Sequence, residues 1–173
     1  AEVLFTVGGK DLLGKRYVPP FDYYYKTLGD KKGALKDGGE DYLAWRVCPA
    51  LFVTTDSGTG LVHEAPAFGE VDYDLLVEQK ARFVDGQGPD LICAVAANGK
   101  FTDAAPDYEG RWVKECDKDI SRNLKERGIL FHLEQYLHDY PFCWRCDTPL
   151  IYYARQSWFI KMTAVRDQLL KNN

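Results

Sequence analysis

Long hydrophobic runs are absent from this sequence of 173 residues, which excludes one class of protein. No apolar run approaches the roughly 18–20 residues of a membrane-spanning helix, so we expect no membrane partner. The sequence also shows no charged-then-apolar secretory signal, no internal repeat and no low-complexity tract. Hydrophobic residues make up 46% and charged residues 28%, which is enough for a core in a soluble chain. We therefore expect one globular domain, with an appendage at most.

Cysteine is scarce and irregularly placed. The chain has five cysteines: Cys48, Cys93, Cys116, Cys143 and Cys146. A secreted disulfide framework has an even number of cysteines at regular spacing, so this odd, scattered set favours the reducing environment of the cytoplasm.

An excess of basic residues is also missing. The sequence has 22 Lys and Arg against 26 Asp and Glu, which gives a net charge of −4. A protein dedicated to nucleic acid is usually basic, so the balance argues against tight, independent binding of RNA. A domain that handles only the end of an RNA held elsewhere remains compatible with it.

The local patterns predict a mixed α+β chain with strands dominating its centre. Helices are predicted at 70–83, 117–127 and 162–171, with Asp117 as a cap and Gly128 as a stop for the second. Strand patterns occur at 2–7, 42–55, 91–97, 100–102 and 150–154. Residues 50–63 predict a hairpin turning at Asp56-Ser57-Gly58, and Asn98-Gly99 predicts a type I′ turn. Residues 29–41, with four glycines, predict a mobile surface loop.

The most informative run is GTGLVHEAPAFGEVDY at 58–73. It places one imidazole, His63, and one carboxylate, Asp72, nine residues apart across a loop broken by Pro66 and Gly69. A strand end, a loop and a helix start would meet at one place there. Two plainer interpretations stay open: Asp72 serves the helix dipole, and His63 is a structural residue with satisfied hydrogen bonds.

A second pattern, Cys143-x-x-Cys146, has the spacing of two ligands of a tetrahedral zinc ion. It is only half a site, because no second pair with ligand spacing occurs in the sequence. We favour two ordinary thiols beside an arginine, and expect no metal or other cofactor in this domain.

Two long motifs together carry a resemblance to a known family. The run at 58–73 resembles the editing-domain signature of isoleucyl-tRNA synthetases. The stretch YPFCWRCDTPLIYYARQSWFI at 140–160 is similar to the segment in which that enzyme returns from the editing insertion towards its catalytic core. The resemblance implies the α+β fold of the valyl, leucyl and isoleucyl editing domains, with a β-rich, barrel-like core and peripheral helices. It also implies a division into an editing domain at 1–138 and a return segment at 139–173.

The function implied by the resemblance is post-transfer editing. Such a domain hydrolyses mischarged valyl-tRNA(Ile), while the parent enzyme uses ATP and Mg²⁺ to join isoleucine to tRNA(Ile). The implied partners are the 3′ end of that tRNA, valine and the remainder of the synthetase. The implied roles are an ammonium anchor for Asp72 and a wall of the valine pocket for His63, with general-base work by His63 less favoured. Further substrate contacts would come from Gly58, Thr59, Gly60 and Phe68.

The sequence departs from the family at one point. The threonine-rich stretch that opens the family's editing domain does not occur here. We therefore expect a fragment of a larger enzyme, with weak or no deacylation by itself. Two alternatives remain: a non-catalytic structural or interaction fragment, and the editing domain of a valyl- or leucyl-type synthetase, against which His63 argues.

Overall fold

The computed structural model describes residues 3–56, 58–135 and 137–173. This part of the chain folds as α+β, which confirms the predicted class. Its α-helices are α1 (Tyr25–Leu28), α2 (Glu70–Lys80), α3 (Asp117–Glu126) and α4 (Met162–Asn172). Its two strands are β1 (Lys32–Ala34) and β2 (Glu40–Tyr42), and short 3-10 turns lie at Gly9–Leu12, Pro106–Tyr108 and Val113–Glu115.

The two strands form an antiparallel hairpin inside the segment predicted to be a mobile loop. Lys32 lies opposite Tyr42, and Ala34 lies opposite Glu40. The prediction was wrong because the glycines have structural uses there. Gly38 and Gly39 take positive φ angles of 97° and 81° and reverse the chain.

The hairpin is extended by the chain that follows α2. The Val84 N–H donates to the Ala34 carbonyl at 2.9 Å, and Leu35 forms a bridge with Phe83. Gly33 permits this approach, since a Cβ there would overlap the Gln87 carbonyl oxygen. The sheet is thereby tied to the C-terminal end of α2.

The three long helices are confirmed close to their predicted bounds, but the predicted cap of α3 is wrong. The N-cap residue is Cys116, and no side chain caps the helix. Asp117 is the first helical residue, where its charge still complements the helix dipole. Gly128 ends the helix as predicted, with φ of 69° and an N–H bond to the Lys125 carbonyl at 3.0 Å.

The β-rich barrel implied by the resemblance is not formed by the described residues. Segments 3–7 and 61–63 have no backbone hydrogen bond to another part of the described chain, and side chains such as Phe5 and Val62 are exposed. Strands need partners from elsewhere in the sequence, and these segments find none. Residue 2 and Ser57, which belong to the predicted strand and turn, lie outside the described residues.

Two other predicted strand segments and one predicted turn also differ from the structure. Residues 43–55 form only an isolated bridge, from Arg46 to Arg16, and residues 150–154 form no regular strand. The turn near Asn98 is present but is not type I′, because only Gly99 has a positive φ, 76°. A loop of three residues lies between Ala96 and Lys100, and the Ala96 N–H donates a hydrogen bond to the Lys100 carbonyl at 2.8 Å. Gly99 takes the left-handed conformation that such a loop needs at its last position.

Within the described residues the core is small and lies beneath α2 and the 95–116 region. Its buried members are Ala67, Leu75, Phe83, Val95, Ala105, Tyr108 and Cys116. Aromatic rings continue it towards the N-terminal part, with Tyr108 packed against both Phe21 and Phe101. None of the described helices has the length and apolar character to cross a membrane.

The placement of the core predicts that substitutions at two phenylalanines have different effects on the free energy of unfolding. Phe83 is 1% exposed and Phe131 is 102% exposed. Phe83→Ala should lower the free energy of unfolding by about 3–5 kcal/mol, because it removes buried surface and leaves a cavity. Phe131→Ala, the matched control, should change it by no more than about 0.5 kcal/mol. Urea titrations followed by circular dichroism compare the two, and equal effects would contradict this placement of the core.

Candidate active site

The candidate site is built where the loop at 64–69 meets the start of α2. Asp72 is the third helical residue, and its carboxylate turns back over the helix end. Its Oδ2 accepts a hydrogen bond from the Ala65 N–H at 3.0 Å. The loop itself is closed by the Phe68 N–H, which donates to the Ala65 carbonyl at 2.8 Å. The carboxylate therefore joins two parts of the chain that are seven residues apart.

Gly69 provides the space for this arrangement. It is the N-cap residue of α2 and has an extended backbone, so its φ of −143° imposes no need for glycine. A Cβ at Gly69 would instead lie 2.6 Å from Asp72 Oδ2, which is too close for unbonded atoms. Any larger residue would push the carboxylate out of its place.

Glu64 is the residue that sequence reasoning missed. It is half-buried, and among the described residues no group donates a hydrogen bond to its buried Oε2. Burial first, and then the hydrogen bond and charge of Asp72, raise the pKa of Glu64 to about 7. Two carboxyl groups thus share one end of the site, and one of them holds a proton near neutral pH.

His63 faces the other way. It is exposed and makes no hydrogen bond or ion pair within the described part of the chain. The neighbouring Glu64 is half-buried and lies against Asp72, as the alternation of successive side chains in a strand would place it if His63 faced solvent. The predicted pairing of His63 with Asp72 is thus not seen as a contact. The alternation was the one signal that pointed to Glu64.

The glycine turn before His63 is also exposed. Gly58 and Gly60 have positive φ angles of 69° and 72°, which fits their predicted role in a tight turn. The Thr59 hydroxyl accepts the Leu61 N–H at 3.3 Å and stabilises the turn. No hydrogen bond or ion pair joins this turn to Asp72 within the described residues.

The return segment packs against the loop. The Ala154 N–H donates to the Ala67 carbonyl at 2.8 Å, and the Tyr153 ring lies 6.3 Å from that of Phe68. The Tyr153 hydroxyl also donates to the Val95 carbonyl at 3.0 Å. Phe68 is therefore partly covered by the protein, and the loop is held from behind.

Tyr17 and Cys48 lie near Glu64 on its protein side. Burial raises the pKa of the Tyr17 hydroxyl, with smaller contributions from the charges of Cys48 and Glu64. Burial likewise raises the pKa of the Cys48 thiol. Both groups are neutral at pH 7, so neither supplies a cation to balance the carboxyl pair.

The recesses of the described surface lie elsewhere. One of about 360 Å³ is lined by residues such as Lys36, Lys80 and Phe83, and one of about 290 Å³ by residues such as Lys31 and Leu43. Neither includes a residue from 58–73. The candidate site is placed by hydrogen bonds from the loop backbone.

The Cys143–Cys146 pair forms a compact turn. The Asp147 N–H donates to the Cys143 carbonyl at 2.8 Å, and Asp147 has a positive φ of 55°. The Thr148 hydroxyl lies 2.7 Å from the Cys146 sulfur, and this contact lowers the pKa of Cys146. Within the described residues no group of three His, Cys, Asp or Glu is placed to hold a metal ion.

Comparison with known proteins gives relatives that carry one enzyme name. No model of a protein family matches the chain. The isoleucine--tRNA ligase of Dehalococcoides mccartyi strain CBDB1 is 47% identical over 169 residues, which is 95% of this chain and 16% of the relative. That of Bacillus thuringiensis strain Al Hakam is 44% identical over 172 residues, or 99% of this chain and 14% of the relative. That of Treponema denticola is 42% identical over 172 residues, which is 99% of this chain and 15% of the relative.

These matches run through the candidate site and the return segment, since they cover nearly every residue of the chain. The chain spans only about one sixth of the length of these relatives. It belongs to the isoleucine--tRNA ligase family, as the counterpart of one segment of that enzyme.

Proposed function

We propose that the chain is the post-transfer editing domain of an isoleucine--tRNA ligase and contributes to hydrolysis of valyl-tRNA(Ile). The observation that carries the proposal is the placement of the Asp72 carboxylate, which Gly69 leaves room for and the Ala65 N–H orients. The resemblance of 58–73 to the editing signature supports the same assignment.

The chemistry suits a carboxylate at this place. An aminoacyl ester carries a free α-ammonium group, whereas uncharged tRNA does not. A carboxylate binds that ammonium through a charge-assisted hydrogen bond, which is strong and directional. Water then attacks the ester carbonyl and releases valine and free tRNA. The ester is already reactive, so orientation of substrate and water supplies much of the rate.

We assign His63 to the wall of the amino-acid pocket. Its ring is exposed, so it can contact an amino-acid side chain that extends from Asp72 past Glu64 towards solvent. One methylene in an apolar pocket discriminates only about 10–200-fold, a range for which this enzyme family is itself the usual example, so a second selection step is needed. Gly58, Thr59, Gly60 and Phe68 would complete the contacts to the ester and the terminal ribose.

The remaining assignments follow from the parent enzyme. We propose that 1–138 forms the editing domain and that 139–173 returns towards the catalytic core. The parent would join isoleucine to tRNA(Ile) with ATP and Mg²⁺, and would present the tRNA 3′ end to this site. Five free cysteines fit a reducing cytoplasm.

A second candidate is a non-catalytic structural or interaction segment. It is favoured by large apolar side chains that are exposed to solvent, such as Leu51, Trp158 and Phe159. Patches of this kind mark surfaces that contact another protein part. This reading accepts the same fold but assigns no substrate to Asp72.

Asp72→Ala should weaken binding of a valyl-adenosine analogue in which an amide replaces the ester. Loss of a charged hydrogen bond to the ammonium should weaken binding roughly 10–100-fold. Asp74→Ala is the matched control, because Asp74 is exposed on the same helix and forms no ion pair or hydrogen bond among the described residues. Calorimetric titration measures both, and retained affinity in the Asp72 variant would remove the proposed role.

Gly69→Ala tests the same role without removing the carboxylate. The added methyl should displace the mobile end of the Asp72 side chain and leave the fold intact. We expect weaker binding of the analogue with little change in the free energy of unfolding. Unchanged affinity would show that the position of the carboxylate does not matter.

His63→Ala should relax the choice between amino acids. The smaller side chain should admit the extra methylene of isoleucine, so the ratio of affinities for valyl- and isoleucyl-adenosine analogues should fall towards one. Val62→Ala, a change at the preceding exposed residue, serves as the control. If the ratio in the His63 variant equals that of the unchanged chain, His63 is not a wall of the pocket.

A further inference from the structure

The Glu64 carboxyl has surroundings that do not suit an ionised group. No group donates a hydrogen bond to its buried Oε2, and no Lys, Arg or His forms an ion pair with it in the described part of the chain. The groups that face it are the Asp72 carboxylate from α2 and the neutral side chains of Tyr17 and Cys48. A buried, unpaired carboxylate is costly, and a neighbouring negative charge adds to that cost.

The backbone brings Glu64 to Asp72 by a short route. Glu64 directly precedes Ala65, whose N–H donates to Asp72 Oδ2 at 3.0 Å. The Glu64 side chain is itself within hydrogen-bonding reach of Asp72, so the two carboxyl groups meet beside the Ala65 N–H. A protonated Glu64 can donate to the Asp72 carboxylate, whereas two ionised groups can only repel each other.

We propose that Glu64 is a positioning residue for Asp72. The Glu64 carboxyl carries a proton in the free protein and donates a hydrogen bond to the Asp72 carboxylate, which holds that carboxylate at the Ala65 N–H. The Asp72 carboxylate then has two hydrogen-bond donors, one from the backbone and one from Glu64. The positioning of Asp72 does not depend on the proposed function. Only its consequence does, which is that the carboxylate is oriented to bind the ammonium of an aminoacyl ester. Glu64 acts through Asp72 and does not touch the reacting atoms.

The direct test is a pH titration of the free chain by nuclear magnetic resonance, with no ligand present. The Glu64 side-chain carboxyl carbon and the Ala65 amide should change together, with one midpoint near pH 7. Asp72→Asn should lower the Glu64 midpoint, because it removes the neighbouring charge. A Glu64 midpoint at the ordinary value of about 4.3 would overturn the proposal. So would an Ala65 amide that does not respond at the Glu64 midpoint.

Two Glu64 variants separate positioning from simple packing. Glu64→Gln keeps a hydrogen-bond donor at every pH, so the Ala65 amide should keep its bonded shift and lose its inflection near neutrality. Glu64→Ala removes the donor, so the amide should move away from the bonded shift. If both variants leave the amide of Ala65 as it is in the unchanged chain, Glu64 does not position Asp72.

The pH dependence of the free energy of unfolding tests independently whether Glu64 holds this proton. Since the Glu64 pKa is raised from 4.5 to about 7 in the folded chain, the folded state holds more protons than the unfolded state between those values. This contribution to stability is present below pH 4.5 and is lost as the pH rises through 7. Relative to the unchanged chain, Glu64→Gln should become progressively more stable across that window. A constant difference between the two proteins would contradict a bound proton.

Binding of the valyl-adenosine analogue distinguishes this inference from the proposed function. Glu64→Gln should bind within about twofold of the unchanged chain at pH 6, and Glu64→Ala should bind at least about tenfold more weakly. If the unchanged chain does not bind the analogue, the proposed function fails, while the titration still decides the role of Glu64. If Glu64→Ala binds as well as the unchanged chain, the positioning role is wrong.

Discussion

The hydrogen bond from the Ala65 N–H to the Asp72 carboxylate is the interaction on which the site depends. It fixes the loop at 64–69 to the first turn of α2 and sets the direction of the only carboxylate that the family resemblance assigns to substrate. Gly69 is needed because any Cβ would occupy the same space as the carboxylate. The return segment supports this arrangement from behind, through the Ala154 N–H bond to Ala67. Segments far apart in the sequence thus together fix the position of the Asp72 carboxylate.

The described chain leaves many of its large apolar side chains unburied, among them Trp158 and Phe159. The described core is small. The chain matches about one sixth of the length of its relatives. A surface of this kind suits a segment that works against other parts of an enzyme. It is also why the editing assignment and the interaction assignment start from the same structure and differ in whether Asp72 meets a substrate.

Local features were predictable from the sequence, whereas distant pairing was not. The helices α2, α3 and α4 follow from apolar spacing and helix-end residues within a few positions, and the structure confirms them. The strand at 2–7 was predicted from a short β pattern and the barrel was implied by the family resemblance, but no local rule identifies the partners that strands need. The 29–41 segment was misjudged for the same reason, because a glycine such as Gly33 permits close packing against a distant carbonyl. In the site, Asp72 was found through its motif, but Glu64 was missed because its role arises only when two segments meet.

A crystal structure of the chain with the valyl-adenosine analogue would show whether Asp72 binds the amino group. We expect the analogue's amino nitrogen within hydrogen-bonding distance of an Asp72 oxygen, with Gly69 unmoved and the valine side chain towards His63. Density for the analogue only in the recess beside Lys31 and Leu43, or an Asp72 carboxylate turned away from a bound amino group, would contradict this role.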